Sequence, residues 1–183
     1  MREIFAGSGL ELETYAEYTD VAEDATSYIG NAMLKARALQ AQLRDDGIEA
    51  AVLSDDSGLE VDVLGGRPGV LSARYAGRES TWTQRRGLML SEMSGVPESE
   101  RSARFVCVNV LLLPQSEPYV GLGIVEGRIA MRASGDGGFG YDPIFYYPPF
   151  DRTFAEVSPV EKNAVSHRRR AADALLASIR ARV

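Results

Sequence analysis

AVLSDDSGLEVDVLGGRPGVLSARYAG, residues 51–77, joins a short apolar run to two adjacent carboxylates. Residues 50–53 have the length of a buried strand, and Asp55 and Asp56 follow where that strand is predicted to end. Ser57 and Gly58 then predict a turn. Because open α/β sheets bind their ligands beyond the carboxyl ends of the strands, two acids at a strand end indicate a ligand site.

The acid pair has two interpretations. Neighbouring residues of a strand face opposite sides of the sheet, so only one of the two carboxylates is expected to point into a cleft. A carboxylate in a cleft suits Mg²⁺, which prefers oxygen ligands and binds through one or two carboxylates together with substrate phosphates. The alternative is that Asp-Asp-Ser-Gly is only a turn, because all of these residues favour turns.

Length and composition predict one soluble globular domain. The chain has 183 residues, of which 45% are hydrophobic and 25% charged. The formal net charge of -6 argues against nucleic-acid binding, which depends on phosphate neutralisation. Cys107 is the single cysteine and lies in an apolar run, which predicts a buried structural thiol. The sequence has no signal-peptide pattern and no apolar run of membrane length, so we expect no membrane partner and a cytoplasmic location.

Strand and helix patterns alternate along the chain, which indicates an α/β fold with a mixed sheet. Ser27 is a predicted N-cap for a helix that ends near Arg44. Ser80 is expected to cap a second helix. The other predicted elements are strands at 10–15, 59–64 and 105–113, a hairpin of strands 119–125 and 128–131 around Glu126-Gly127, and a terminal helix over 159–182.

Residues 135–143, GDGGFGYDP, form a second candidate site segment. Glycines allow the backbone to approach a ligand closely, and an aromatic ring offers a face for stacking a base. Asp142 can accept hydrogen bonds from a base or a sugar. The alternative is a glycine-rich turn with aromatic residues in the core.

Residues 161–168, EKNAVSHR, open the predicted terminal helix. Lys162 and Ser166 are four residues apart, so they share a helix face. Ser166, His167 and Arg168 offer hydroxyl, imidazole and guanidinium donors, which suit a carbonyl-bearing ligand or an anion better than an exocyclic amine. The alternative is a solvated basic face.

Taken together, these segments closely resemble the inosine triphosphate pyrophosphatase family, whose members hydrolyse non-standard purine triphosphates. The resemblance rests on SDDSGL at 54–59, GGRPG at 65–69, SARY at 72–75, GFGYDP at 138–143 and SHR at 166–168, in the family's order. Asn31-Ala32 and Leu34-Lys35-Ala36 match its first long helix. The resemblance implies a long mixed β-sheet with flanking helices, two lobes around a central nucleotide cleft, and a homodimer.

The resemblance also implies a reaction, in which Mg²⁺-assisted water attacks the α-phosphorus of ITP, dITP or XTP and releases pyrophosphate. By motif position, Asp56 would be the general base and metal ligand, with Asp55 supporting it electrostatically. Phe139 would stack on the purine. The remaining implied substrate-binding residues are Ser57, Arg74, Gly140, Tyr141, Asp142, Lys162, Ser166, His167 and Arg168.

Two features differ from the family pattern. The family begins with a strand and a Thr/Ser-x-Asn-x-x-Lys phosphate loop, whereas residues 1–4 here resemble the helix that follows this loop. We therefore expect a single domain over residues 1–183 that lacks the first strand and the loop. Gly30 stands where the family's Thr-x-x-Glu-Asn-Ala motif has a metal-binding glutamate.

Three hypotheses accommodate these differences. The first is a family enzyme with weakened or altered catalysis. The second is an inactive relative that still binds a purine nucleotide or serves as a partner subunit. The third is a normal enzyme with a mis-assigned start codon, and Gly30 counts against it because a wrong start explains only the missing loop.

Overall fold

The computed structural model describes residues 1–182 and divides into two compact units. The first unit contains Met1–Asp56, Cys107–Gly123 and the residues from His167 onward. The second contains Ser57–Val106 and Ile124–Ser166. Each unit has its own buried apolar core. No helix among residues 1–182 combines the length and the apolar character needed to cross a membrane.

The described residues form five α-helices and six strands, joined by loops and short 3₁₀ turns. The helices are α1 (Arg2–Phe5), α2 (Tyr28–Asp45), α3 (Trp82–Glu92), α4 (Pro159–Val165) and α5 (His167–Arg180). The strands are β1 (Val52–Val61), β2 (Pro68–Gly69), β3 (Ser102–Leu112), β4 (Tyr119–Ile129), β5 (Phe145–Tyr147) and β6 (Arg152–Thr153).

The strands form one sheet in the order β2-β1-β3-β4-β5-β6. The predicted α/β class with a long sheet is therefore confirmed. The three pairings whose register is described, β1 with β2, β4 with β5 and β5 with β6, all run antiparallel, whereas the sequence predicts a mixed sheet.

The predicted turn at Ser57-Gly58 is wrong, because β1 continues through both residues to Val61. The acid pair consequently lies inside a strand and not at its end. Gly58 allows the backbone of Gly69 to pack closely against β1, because a Cβ at residue 58 would lie 2.2 Å from the Gly69 carbonyl oxygen. Ser72 Oγ accepts a hydrogen bond from the Leu59 N–H at 2.8 Å and ties the following turn to the strand.

Four other predicted elements differ from the structure. The predicted strand at 59–64 is not a separate strand, because residues 59–61 are the end of β1 and Asp62–Leu64 form a 3₁₀ turn. Residues 10–15 form no strand; Leu10 and Leu12 pack on a core containing Ile4 and Phe5, which accounts for their alternation without strand pairing. The predicted hairpin around Glu126-Gly127 is the single strand β4. The predicted terminal helix is two helices, because Ser166 adopts extended backbone angles between α4 and α5.

The helix N-termini follow local capping chemistry. Ser27 caps α2 as predicted, and its side chain accepts a hydrogen bond from the Gly30 N–H. Thr81 and not Ser80 caps α3, because Gln84 three residues later completes a capping box with it. Ser158 and Glu161 form the same arrangement before α4.

Candidate active site

Strand β1 directs its two acids to opposite faces, as the alternation of side chains requires. Asp56 is 7% exposed and faces α2. Its Oδ2 accepts a hydrogen bond from Asn31 Nδ2 at 3.1 Å, and its Oδ1 lies 3.7 Å from the Lys35 ammonium nitrogen. Asp56 is therefore a buried carboxylate with an amide donor on one oxygen and a cation near the other.

Helix α2 supplies both partners of Asp56 from one face. Asn31 and Lys35 are four residues apart, and this spacing is the signal that could have identified them from the sequence as site residues. Asn31 Oδ1 also accepts a hydrogen bond from the Ala25 N–H at 3.0 Å, and Lys35 Nζ lies 3.0 Å from Glu23 Oε1. The segment before α2 thus orients the groups that hold Asp56.

Gly30 lies one residue before Asn31, in the first turn of α2. A Cβ at this position would lie 2.7 Å from the Ala25 Cβ and 3.0 Å from Ser27 Oγ. The methyl group of Ala25 therefore occupies the space that any side chain at residue 30 would need.

Asp55 faces β3 and α5. Its Oδ2 lies 3.6 Å from Arg168 Nε and 4.0 Å from Cys107 Sγ. Arg168 Nη1 lies 3.2 Å from His167 Nε2, and because a guanidinium only donates, this imidazole nitrogen acts as the acceptor. In a neutral His167 ring the N–H donor is then on Nδ1, so the side chain keeps one donor.

Cys107 is the buried thiol that the sequence predicts. Burial, followed by the charge of Asp55, raises the pKa of Cys107 from 9.0 to about 12. The thiol therefore stays protonated and can donate weakly to Asp55 or to Asn109 Oδ1, which is 3.7 Å away.

The second unit contains the glycine-rich loop, residues 138–142. Asp142 Oδ2 accepts hydrogen bonds from the Phe139 N–H at 2.7 Å and from the Lys162 ammonium group. Lys162 Nζ lies 4.4 Å from the centroid of the Phe139 ring. The Phe139 side chain is 56% exposed, so one face of an aromatic ring is available beside a cation.

Gly138 is required by the geometry of this loop. Its φ of +68° is in the region that favours glycine, and a Cβ here would lie 2.2 Å from Asp142 Oδ2. Asp142 can therefore reach the Phe139 N–H only because residue 138 has no side chain.

Tyr141 supports the loop from the core of the second unit. Its ring is buried, its hydroxyl donates to the Ser72 carbonyl oxygen at 3.0 Å, and burial raises the pKa of this phenol. Gly140 is buried beside it. Both residues are therefore buried, and the Tyr141 hydroxyl stabilises the loop backbone from the core of the second unit.

Three other predicted site residues are described by their burial and their place in the backbone. Ser57 is half-buried on β1, and Arg74 ends a 3₁₀ turn over Ser72–Arg74. Ser166 is buried where α4 ends, and its N–H donates to the Lys162 carbonyl oxygen at 2.9 Å.

Asp56 and Glu23 supply carboxylate oxygens of the kind that a hard cation binds. The Lys35 ammonium group lies between the Glu23 and Asp56 carboxylates, so this position already accommodates a positive charge among oxygen atoms. Within residues 1–182, no group of three or more His, Cys, Asp or Glu side chains is arranged to hold a metal. An ion here would take its remaining ligands from water and phosphate, which is the usual mode for Mg²⁺.

The sequence is similar to those of proteins that share one name, dITP/XTP pyrophosphatase. A dITP/XTP pyrophosphatase from Vibrio vulnificus (strain YJ016) is 43% identical over 184 residues, covering 98% of this chain and 90% of that protein. A dITP/XTP pyrophosphatase from Geobacillus kaustophilus is 43% identical over 171 residues, covering 92% of this chain and 81% of that protein.

Solved structures agree. The Staphylococcus aureus Ham1 protein superposes with a TM-score of 0.81 at 39% identity, over 90% of this chain and 82% of that one. The Mycobacterium abscessus nucleoside-triphosphatase / dITP/XTP pyrophosphatase gives a TM-score of 0.71 at 44% identity, over 87% of this chain and 79% of that one. The Ham1 family model matches residues 1–178. The resemblance found in the sequence is thereby confirmed, and the chain belongs to the Ham1 family.

Proposed function

We propose that this chain hydrolyses the non-standard purine nucleotides ITP, dITP and XTP to the monophosphate and pyrophosphate. The observation that carries the proposal is the match, over nearly the full chain, to relatives named dITP/XTP pyrophosphatase. The chemistry of Asp56 with its partners Asn31 and Lys35 is consistent with it. So is the chemistry of the loop that carries Phe139 beside Lys162.

Asp56 is the proposed general base. Water attacks the α-phosphorus, the bond from that phosphorus to the oxygen bridging to the β-phosphorus breaks, and pyrophosphate leaves with the electron pair. Asp56 takes the proton of the attacking water. Asn31 fixes one carboxylate oxygen, and Lys35 supplies a positive charge beside the other, where it can also bind substrate phosphate.

Mg²⁺ is the proposed cofactor, with Asp56 as its protein ligand. When bound, the ion would neutralise phosphate charge and favour attack at phosphorus. Gly30 contributes no carboxylate, so Asp56 and the substrate phosphates would hold the ion together with water.

Phe139 is the proposed stacking platform for the purine, and Lys162 is the proposed cationic donor beside it. Hypoxanthine and xanthine carry an oxygen at position 6, which accepts a hydrogen bond where adenine presents an amine. Guanine shares that oxygen but adds an amine at position 2. A polar site rejects a mismatched base strongly because its own groups are then left unpaired.

Two further proposals concern the assembly and the location of the chain, and the first rests on the family resemblance. The chain is expected to form a homodimer, which light scattering coupled to size-exclusion chromatography would test. The second proposal is the cytoplasmic location that the sequence led us to expect.

The deciding experiment measures pyrophosphate release from ITP, XTP, ATP and GTP with Mg²⁺. Release from ITP or XTP well above ATP and GTP is the expected result. The Asp56→Asn variant should lose about 10²- to 10⁴-fold in rate, the range for loss of a general base, and retain its circular dichroism spectrum. Asp173→Asn, which changes an exposed ion pair with Arg169, is the matched control and should keep wild-type activity. Full activity of Asp56→Asn would refute the assignment of the base.

Gly30 favours a second candidate function, that of a nucleotide-binding relative without hydrolysis. This candidate predicts that a folded chain binds IMP in calorimetry and releases no pyrophosphate from any of the four nucleotides. Hydrolysis of ITP at rates typical of enzymes would exclude it.

A further inference from the structure

A side chain of helix α3 is hydrogen-bonded to the loop that carries Phe139. Arg86 Nη1 donates to the Gly140 carbonyl oxygen at 2.9 Å, and Arg86 Nη2 donates to Thr83 Oγ1 at 3.2 Å. The second bond fixes the guanidinium group on its own helix. Arg86 therefore holds the middle of the loop from a rigid element.

Trp82, one helical turn before Arg86, supports the same part of the loop. Its ring meets the Tyr141 ring edge-on at a centroid distance of 5.5 Å. A Cβ at residue 140 would lie 3.7 Å from the Trp82 ring, so the loop backbone and the indole are in near contact. The Arg85 guanidinium carbon lies over the Trp82 ring, 4.7 Å from its centroid, in a cation–π contact.

The loop requires support of this kind because of its composition. Gly138 and Gly140 both have positive φ and no side chains, so local sterics restrict the backbone weakly. Asp142 accepts the hydrogen bond of the Phe139 N–H at one end of the loop, and Arg86 donates to the Gly140 carbonyl in its middle. That carbonyl belongs to a buried residue, and without Arg86 it would lose a charged hydrogen-bond donor.

We propose that Arg86, packed beside Trp82, is a positioning residue that sets the orientation of Phe139 for the purine. The proposal deepens the proposed function, on which it rests. Arg86 acts through the Gly140 carbonyl.

The test uses Arg86→Met, which keeps the length and apolar stem of the side chain, and Arg86→Lys, which restores a cationic donor. Arg67→Met is the matched control, because Arg67 is exposed and its ion pair is with Glu92, which is not a residue of the loop. Hydrogen exchange of residues 138–142 is measured without nucleotide, and IMP affinity and steady-state kinetics with ITP are measured in parallel.

Arg86→Met is expected to speed exchange of the loop amides, to weaken IMP binding about tenfold, and to raise KM with kcat nearly unchanged. Arg86→Lys should recover part of each effect, and Arg67→Met should match wild type. Unchanged exchange in Arg86→Met would overturn the contact itself. Faster exchange with unchanged IMP affinity would overturn the positioning role. Failure of the wild-type chain to bind IMP or to hydrolyse ITP would instead refute the proposed function, while the exchange result would still test the contact.

Discussion

Gly30 and Ala25 are expected to depend on each other energetically. Gly30→Ala places a Cβ 2.7 Å from the Ala25 Cβ, and neither methyl group can rotate away. Overpacking of this kind costs about 1–3 kcal/mol. Replacing glycine by alanine in a helix contributes about 1 kcal/mol in the opposite direction. The steric cost is the larger, so we expect Gly30→Ala to lower the unfolding free energy by up to about 2 kcal/mol.

The effect should extend to the site. Displacing Ala25 strains its N–H bond to Asn31 Oδ1, and Asn31 is the residue that holds Asp56. Ala25→Gly removes the obstructing methyl group. The double variant Gly30→Ala/Ala25→Gly is therefore expected to recover about 1–3 kcal/mol relative to the sum of the single changes.

The assay is urea denaturation of the four forms that make up the double-mutant cycle. Additivity of the two single changes within about 0.5 kcal/mol would refute the steric coupling.

The Ala25 methyl group should also obstruct a carboxylate side chain introduced at residue 30. Gly30→Glu alone is expected to strain the segment before α2, whereas Gly30→Glu/Ala25→Gly should raise Mg²⁺ affinity in calorimetry. Coincident Mg²⁺ titrations of the double variant and wild type would show that residue 30 does not reach the ion.

Two further predictions concern other parts of the site. Phe139→Ala should weaken IMP binding by about 1–3 kcal/mol with no loss of stability, because the ring is exposed and available for stacking. Val160→Ala, an exposed apolar control, should bind like wild type, and equal affinity of the two variants would contradict the stacking role. The raised pKa of Cys107 predicts stabilisation that is complete below about pH 9, the ordinary thiol value, and is lost as the pH rises towards about 12, because the unfolded chain releases the proton first. Between pH 9 and 11 under reducing conditions, the unfolding free energy of wild type should fall more steeply than that of Cys107→Ala, by at most about 1.4 kcal/mol per pH unit. Parallel slopes would mean that the buried thiol is not the group responsible.

The elements predicted correctly depend on interactions within a few residues. Ser27 ends a segment without periodicity and begins an apolar face, and α2 follows it. The apolar run containing Cys107 is long enough to specify a buried strand, and β3 covers all of it except the last residue, Leu113. Capping and burial patterns act locally, so they can be recognised without knowledge of distant partners.

The errors have the opposite origin. Ser57-Gly58 and Glu126-Gly127 favour turns by composition, but each lies inside a strand because a distant segment packs against its glycine. At Gly58 that segment contains the Gly69 carbonyl, and at Gly127 it contains the Phe145 ring.

In the candidate site, too, the sequence identified residues in contiguous motifs but not their partners from distant segments. Motif order was sufficient to identify Asp56, Phe139 and Lys162 as candidate residues, because each motif is contiguous in the chain. The partners that fix their geometry come from far away. Asn31 reaches Asp56 across 25 residues, and Arg86 reaches Gly140 across 54. Such contacts depend on how helices α2 and α3 pack within their units, and packing is a property of the folded chain that no local pattern contains.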